Sequence, residues 1–267
     1  MRPAFFSAIA LIAGSAVAAP PGSPMTEFGP RQVAVSAFFD HNGLTFYEDP
    51  ATSILNTAGL AVEYAPWRYL QVGAFGGASE LDIAVPDRRM NDPNAHSFDG
   101  DYSFTGGATA KAATPRLFQD ALRLVGYGSG AWFQVEDAAG NIRRGMYYQG
   151  GATLQYAIGR SFNLALGGEY HAVDGEQENT RKEVQPFGLN AATDFDALRG
   201  VVGVEYTFPQ KNRPFISLSF RPTGSLDWDD RLGLKNGSIA VSFGVIADIG
   251  GATPGNPGGG DLNVIEE

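Results

Sequence analysis

One histidine of this sequence stands among acidic residues in a pattern that could support hydrolysis. His171 lies between Glu169 and Asp174. A histidine base paired with an acid is one ingredient of a hydrolase, which also needs a nucleophile within reach of that base. Ser129 and Ser217 lie on predicted strands, but neither is near His171 in the sequence. A histidine satisfied within a protein wall is the commoner case, so we expect no catalytic residue and no enzyme activity.

Other charged clusters could bind ligands but predict no dedicated site. The run Asp227-Trp228-Asp229-Asp230 could bind Ca²⁺ at a loop tip, yet it lacks the spacing and the glycine of a calcium loop. The pairs Arg88-Arg89 and Arg143-Arg144 could contact lipopolysaccharide phosphates or be solvated charges at a rim. The chain has no cysteine, which excludes disulfides and thiolate metal sites. We expect no metal and no cofactor.

A mixed set of acidic, basic and amide side chains alternates with apolar residues along the chain. We predict that this set forms a polar layer inside a barrel: Glu63, Lys111, Gln155, Glu169, His171, Arg199, Glu205, Arg221 and Asp248. Paired charges would plug a narrow lumen, because a buried charge needs a partner. The alternative is that the same residues line an open polar pore.

The elements that must position these side chains are β-strands, because apolar and polar residues alternate with a period of two. The triplets Val62-Glu63-Tyr64, Leu154-Gln155-Tyr156 and Val204-Glu205-Tyr206 each end one run before a turn, and a second run follows each turn. Repeats of this kind predict antiparallel hairpins. We predict about ten strands, within a range of 8–12. The run from Leu122 to Val135 is less regular, and its glycines indicate a β-bulge.

The predicted links alternate in length, which is typical of outer-membrane barrels with short periplasmic turns and long extracellular loops. Short links are predicted at 65–68, 159–161 and 209–214, and long links at 41–53, 79–99, 172–194 and 222–236, while 114–121 and 136–143 are equal in length. The fold class predicted is all-β, a single closed antiparallel up-and-down transmembrane β-barrel, rather than a soluble all-β fold. Aromatic residues near the short turns would form one interface girdle: Tyr64, Tyr156, Phe162, Tyr206 and Phe208.

The two ends of the chain differ from the predicted barrel at 20–249. Arg2, an apolar segment and Ala16-Val17-Ala18 predict a cleaved signal peptide over residues 1–19. Residues 250–267 are rich in glycine and proline and then acidic, which predicts a flexible periplasmic tail. Beyond the N-terminus no apolar run is long enough for a membrane helix. The net charge of −10 argues against nucleic acid as a partner.

The first predicted hairpin carries a resemblance to a known superfamily. Its strand Gly59-Leu60-Ala61-Val62-Glu63-Tyr64, turn Ala65-Pro66-Trp67 and return strand 70–77 resemble the small OmpA-like and OmpW-like barrels of the bacterial outer membrane. The resemblance is one of pattern and extends over nearly the whole mature chain. Such barrels often end on an aromatic residue that the assembly machinery reads, whereas this chain continues into the tail.

This resemblance implies a location and a set of partners. We expect a monomer in the Gram-negative outer membrane, in contact with its lipid and lipopolysaccharide and inserted by the barrel-assembly machinery. The expected function is a structural or surface-interaction role in the cell envelope, with a lumen plugged by polar side chains. The alternatives are a narrow diffusion pore for small solutes and, less favoured, a barrel that hydrolyses lipid or peptide.

Overall fold

The described part of the chain forms one antiparallel β-sheet closed into a ring. The computed structural model describes residues 29–45, 52–84, 98–118, 121–138, 140–159, 161–178, 195–210, 212–222 and 237–248. The strands are β1 (Gln32–Thr45), β2 (Thr52–Trp67), β3 (Leu70–Ala84), β4 (Phe98–Asp101), β5 (Ser103–Ala113), β6 (Leu122–Asp137), β7 (Ile142–Ile158), β8 (Phe162–Glu178), β9 (Phe195–Thr207), β10 (Pro214–Pro222) and β11 (Gly237–Asp248). Because β1 pairs with both β2 and β11, the sheet has no free edge there. The predicted closed up-and-down barrel is confirmed.

Two of the strands share one position in the ring. Short β4 and longer β5 both pair with β3 and with β6. Ser79 lies opposite Ser103, but Asp82 lies opposite Asp99, so the register shifts by one residue at Tyr102. This shift is a β-bulge, in which one extra residue lies on one strand. The ring therefore has ten strand positions, in agreement with the predicted count.

The bulge predicted in the run from Leu122 to Val135 is wrong. Strand β6 keeps one register against β7 from Leu122 opposite Tyr156 to Glu136 opposite Ile142. The run looked irregular because the residues of β6 that face inward are themselves apolar, among them Val125 and Phe133. Alternation of polarity is therefore weak on this strand, although its geometry is regular.

The two faces of the sheet have the reverse polarity of a soluble protein. Outward-facing apolar side chains are widely exposed, such as Leu198 at 72% and Phe104 at 67%. Many inward-facing polar and charged side chains are buried, such as Arg221 at 2% and Glu205 at 1%. In the described segments, no helix is long and apolar enough to cross a membrane.

The links define two ends of the barrel. The short-turn end carries the links at 68–69, 114–121, 159–161 and 208–213, and the long-loop end carries those at 46–51, 85–97, 138–141, 179–194 and 223–236. One pair breaks the alternation, because 138–141 is shorter than 114–121. Strands β6 and β7 continue into a tight turn there, where Asn141 donates its backbone N–H and its side-chain amide to Asp137 at 2.8 and 2.7 Å. Gly140 supplies the left-handed φ of 81°.

Some predicted features lie outside the described residues. They are the signal peptide at 1–19, the tail at 250–267, the pair Arg88-Arg89 and the run from Asp227 to Asp230.

Candidate functional site

The interior of the barrel holds two side-chain clusters on opposite walls. The charged cluster comes from β1 and β8–β10 and consists of Asp40, Asn42, Glu169, His171, Arg199 and Arg221. The apolar cluster comes mainly from β2–β7 and consists of Phe38, Leu55, Ala61, Phe75, Leu81, Ile83, Phe98, Ala131, Phe133, Val135, Tyr147 and Val173. Strand β1 contributes to both through Phe38 and Asp40, which point inward two residues apart.

Arg221 joins the two carboxylates of the charged cluster. Its Nη1 lies 3.5 Å from Asp40 Oδ2, and its Nε lies 3.7 Å from Glu169 Oε2. The three side chains come from β10, β1 and β8, and each is no more than 3% exposed. With Arg199, the cluster contains two guanidinium groups and two carboxylates. Its formal charges therefore balance, as buried charges require.

Neutral donors also bind the Glu169 carboxylate. Tyr127 Oη donates to Glu169 Oε2 at 2.8 Å, and Gln149 Nε2 donates to the same oxygen at 2.6 Å. These donors stand on β6 and β7. The carboxylate on β8 thus connects to two further strands in addition to its ion pair with Arg221.

The second carboxylate is bound in the same way. Asp40 Oδ1 accepts from Ser238 Oγ at 2.8 Å, and Asp40 Oδ2 accepts from Asn42 Nδ2 at 2.7 Å. Asn42 Oδ1 in turn accepts from Arg199 Nη1 at 2.6 Å. A network of this kind restrains every strand that contributes a member, since each bond fixes two walls relative to one another.

A second polar layer lies nearer the short-turn end. Lys111 Nζ lies 2.7 Å from Glu63 Oε1. Arg123 donates through Nε and Nη2 to Gln155 Oε1, at 2.9 and 2.7 Å. All four side chains are buried, as is Glu205. The structure therefore divides the predicted polar layer into two levels.

Asp248 does not join either level of buried polar side chains. It ends β11 at the short-turn end, where its side chain is exposed. Its Oδ1 accepts from Gln32 Nε2 at 2.6 Å, and Arg213 also donates to the Gln32 amide. The prediction of Asp248 as part of the lumen layer is wrong, because parity along a strand gives the direction of a side chain and not its depth in the barrel.

The apolar cluster was missed by sequence reasoning, which assumed a polar interior throughout. Phe38 and Phe75 meet edge to face, with ring centroids 5.6 Å apart. Arg143 is 1% exposed, and its guanidinium lies 4.9 Å from the centroid of the Phe98 ring. Arg143 was predicted near the outer rim with Arg144, but only Arg144 is exposed. The sequence does contain a signal for this cluster. Apolar residues recur at alternate positions along β6 and therefore point to the same face of the strand.

The histidine that could have served as a base lies inside this packed interior. His171 is 2% exposed, and its ring centroid is 6.4 Å from that of Tyr147. Ser129 and Ser217 are 0% and 1% exposed. None of the three side chains is accessible to a substrate from solvent.

Aromatic side chains ring the outer face near the short-turn end. Tyr64, Tyr156, Tyr206 and Phe208 are exposed there, and Phe162 is half-buried opposite Tyr206. Tyr206 and Phe208 meet edge to face at 4.8 Å. Further exposed aromatic residues at this end, absent from the predicted girdle, are Trp67, Tyr69 and Phe118. All three lie in or beside the turns, where strand alternation gives no signal.

A row of polar side chains marks the margin of the outer face at the long-loop end, opposite the aromatic residues. His41 Nδ1 lies 2.7 Å from Asn56 Oδ1, and Asn56 Nδ2 donates to Glu80 Oε2 at 3.0 Å. The three residues lie directly across β1, β2 and β3. On β2 the outward residues between Asn56 and Tyr64 are all apolar. Eight residues span about 26 Å along a strand, or about 20 Å along the barrel axis at a strand tilt of about 40°.

Comparisons with known proteins add little to this geometry. No protein-family model matches the chain, and no curated protein matches it. Similar solved structures include the translocator domain of autotransporter NalP from Neisseria meningitidis, at 13% identity and a TM-score of 0.47, covering 84% of this chain and 90% of that one. An outer membrane channel from Pseudomonas putida F1 has 11% identity and a TM-score of 0.45, covering 86% and 100%. The CymD monoaromatic hydrocarbon channel has 8% identity and a TM-score of 0.28, covering 85% and 90%. These values transfer no function.

Within the described segments, no group of three or more histidine, aspartate or glutamate side chains is placed to hold a metal ion.

Proposed function

We propose that the chain is a bacterial outer-membrane barrel with a closed lumen and a structural or surface-interaction role in the envelope. A membrane location is supported by the apolar belt of about 20 Å between the His41–Asn56–Glu80 margin and the aromatic girdle. A soluble barrel would gain nothing from exposing Leu60 at 63%, Leu198 at 72% and Phe104 at 67%. The predicted signal peptide supports export to that membrane.

The closed lumen is supported above all by the burial of Arg221 between Asp40 and Glu169. A water-filled pore leaves its lining side chains exposed to solvent, as in porins. Here the three charged side chains are 1–3% exposed, and the apolar cluster fills the opposite wall. A barrel of ten positions has a lumen narrow enough for side chains to fill. We therefore favour a rigid envelope component over a diffusion pore.

We further propose that the barrel is not an enzyme. The support is the burial of His171, which is 2% exposed, together with that of Ser129 and Ser217. A catalytic base must reach a proton on a bound substrate. The proposed partners are outer-membrane lipid on the apolar belt, lipopolysaccharide at the His41–Asn56–Glu80 margin and the assembly machinery. We propose a monomer and no nucleic-acid partner.

Conductance in planar lipid bilayers tests the closed lumen. Folded protein, recognised by faster migration of the unboiled sample on an SDS gel, is expected to give no steady current steps in about 1 M KCl. Arg221→Ser removes the guanidinium between the carboxylates and is expected to give measurable current. The exposed, outward-facing Arg144→Ser is the matched control and is expected to stay silent. Steady single-channel steps from the unchanged protein would overturn the closed lumen and support the diffusion pore.

A further inference from the structure

The four-residue strand β4 is attached to its neighbours by few backbone pairs. Two of its residues lie opposite β3, and the other two lie opposite β6. Strand β5, which follows the bulge at Tyr102, keeps the ring closed by pairing with both β3 and β6. An element with few contacts opens locally at a lower free energy than the rest of a fold. The docking of β4 therefore depends strongly on its side-chain interactions.

Docked β4 covers one end of the apolar cluster in the lumen. Phe98 points inward and is 3% exposed, and the guanidinium of Arg143 lies 4.9 Å from the centroid of its ring. A methyl group at Gly100 would lie 2.7 Å from the Phe98 ring and 2.8 Å from the Leu81 carbonyl oxygen. The glycine thus lets the ring lie against the backbone of its own strand. Release of β4 would withdraw Phe98 from Arg143 and open the lumen at the long-loop end.

Two carboxyl groups face each other across β3 and β4 on the outer side of the barrel. Asp82 and Asp99 are directly opposite in register. Their carboxyl groups lie within hydrogen-bonding range of each other, and the backbone N–H of Gly100 also reaches Asp82. Two ionised carboxylates directly opposite each other oppose strand pairing, whereas a hydrogen bond between them needs one shared proton. The protonation of this pair therefore favours or opposes the docking of β4.

The surroundings of the pair favour its protonated form. Asp82 lies two residues beyond Glu80, on the long-loop side of the apolar belt, and its Oδ1 is buried with no hydrogen-bond partner among the described residues. Burial, and then the charges of Glu80 and Asp99, raise the pKa of Asp82 to about 6. On β2 the uncharged Ile54 lies opposite Asp82. The titratable and charged residues of the described chain on this part of the outer face are Glu80 on β3, Asp99 and Asp101 on β4, Tyr102 at the bulge, Glu136 on β6 and Arg144 on β7.

We propose that β4 docks in a proton-dependent way, in which one proton shared by the Asp82 and Asp99 carboxyl groups holds β4 against β3. Loss of that proton leaves two carboxylates opposite each other and releases β4, together with Phe98. In the orientation proposed above, this end faces the cell exterior, so docking responds to external pH. The consequence for the lumen rests on the proposed closed barrel, whereas docking itself is measured without any conductance. A failed test of either one leaves the other standing.

The direction of the pH effect follows from the raised pKa of Asp82. A carboxyl group with a pKa of about 6 when β4 is docked, and its ordinary value of 3.8 when β4 is released, binds its proton more tightly in the docked form. Docking is therefore strongest below about pH 4, weakens as the pH rises through about 6 and stays weak above it. This difference corresponds to a change of about a hundredfold in the docking equilibrium. Solvent screening at the half-buried Asp82 reduces the expected change to about tenfold.

Hydrogen–deuterium exchange of the folded barrel in a non-ionic detergent, read by mass spectrometry, tests the docking of β4. The amides of residues 98–101 are expected to be protected about tenfold more at pH 4.5 than at pH 7.5, after correction for the intrinsic pH dependence of exchange. A segment of β7, residues 142–150, is the internal reference and is expected to show no such change. Equal protection of residues 98–101 at the two pH values would overturn the proposal.

Variants assign the pH effect to the carboxyl pair. Asp82→Asn supplies an amide N–H that donates to the Asp99 carboxylate at any pH, so β4 is expected to stay as protected at pH 7.5 as at pH 4.5, within about twofold. Asp99→Asn is the reciprocal variant and keeps the test informative if Asp82→Asn fails to fold. Asp101→Asn is the matched control, because Asp101 is on the same strand and face but lies opposite Glu136. Its pH effect is expected to remain, and its loss in Asp101→Asn as in Asp82→Asn would overturn the proposal.

Two further variants define the released state and exclude a histidine as the source of the effect. Gly100→Ala forces Phe98 away and is expected to leave residues 98–101 poorly protected at both pH values. Histidine side chains titrate in the same pH range, and His96 lies in the segment between β3 and β4, outside the described residues. His96→Gln is expected to keep the full pH effect. Loss of the effect in His96→Gln, with its retention in Asp82→Asn, would assign it to the histidine and overturn the proposal.

Discussion

The two walls of the lumen fill the same space by different means. On the wall around Phe133 and Phe98, side chains exclude water by apolar packing and need no particular partner. On the wall around Arg221, Asp40 and Glu169, closure depends on charges that compensate one another. Apolar packing loses stability in proportion to the volume that is removed. A charged network instead fails when one member is lost, because the others remain buried without compensation.

This difference assigns separate roles to the two walls. Packing of the apolar cluster supplies stability to strands β2–β7, whereas the charged cluster fixes how β1 and β8–β11 meet across the lumen. In the proposed closed lumen, each cluster covers one side, so both contribute to closure. Changes in the two clusters should therefore differ in kind as well as in size.

The largest effect is expected from Arg221→Met. The change keeps an unbranched side chain but leaves the carboxylates of Asp40 and Glu169 without their shared cation. Removal of one partner from a buried ion network costs about 3–5 kcal/mol. Urea unfolding of the barrel in lipid vesicles, followed by tryptophan fluorescence, measures the loss.

Neutralising the partners sharpens the same experiment. Adding Asp40→Asn and Glu169→Gln to Arg221→Met removes the uncompensated charges, and the triple variant is expected to regain most of the lost free energy of unfolding. A triple variant less stable than Arg221→Met would show that the two walls do not differ in the proposed way.

The next effect in size is expected from Phe133→Ala on the apolar wall. Phe133 is 0% exposed, so the change leaves a cavity and costs about 3 kcal/mol of unfolding free energy. Phe133→Leu is the matched control and is expected to cost less than about 1.5 kcal/mol. Both variants should stay silent in planar bilayers, because one shortened side chain leaves the rest of the apolar cluster and the whole charged network in place. Current through Phe133→Ala equal to that of an Arg221 variant would remove the distinction between the walls.

The sequence was sufficient to predict the closed barrel, because alternation and turn spacing are local properties of each strand. It was also sufficient for residues such as Glu63 and Lys111, whose polarity contrasts with that of their neighbours along the strand. It failed for β6, where Phe133 faces inward and Trp132 faces outward, since two apolar faces give no alternation of polarity. The bulge at Tyr102 was also missed, because one extra residue is visible only when the partner strand is known.

The depth of a side chain was beyond sequence reasoning for a similar reason. Asp248 has the inward parity of its strand but lies at the rim, and Arg143 was expected at a rim but lies beside Phe98. Height in a barrel depends on the stagger of all ten positions. No single strand carries that information.

The smallest effect concerns a polar pair on the otherwise apolar wall. Thr57 Oγ1 and Ser79 Oγ lie 2.9 Å apart on β2 and β3, next to Leu55 and Leu81, and both hydroxyl-bearing side chains are buried. On the charged wall, loss of one member leaves its partners buried without compensation. If the same holds for polar groups on the apolar wall, each of these two hydroxyls depends on the other. Thr57→Val keeps the shape of the side chain but leaves the Ser79 hydroxyl without this hydrogen-bond partner, at a cost of about 1 kcal/mol.

A double-mutant cycle separates this dependence from packing. Ser79→Ala alone is expected to cost about 1 kcal/mol, and Thr57→Val with Ser79→Ala about the same as either single change, because no hydroxyl of the pair is then left unpaired. Urea unfolding of the four proteins under one condition gives the coupling energy. Additive costs, within about 0.3 kcal/mol, would mean that the pair is merely packed. Polar groups on the apolar wall would then tolerate the loss of a partner, and the rule of mutual dependence would hold only where charge is buried.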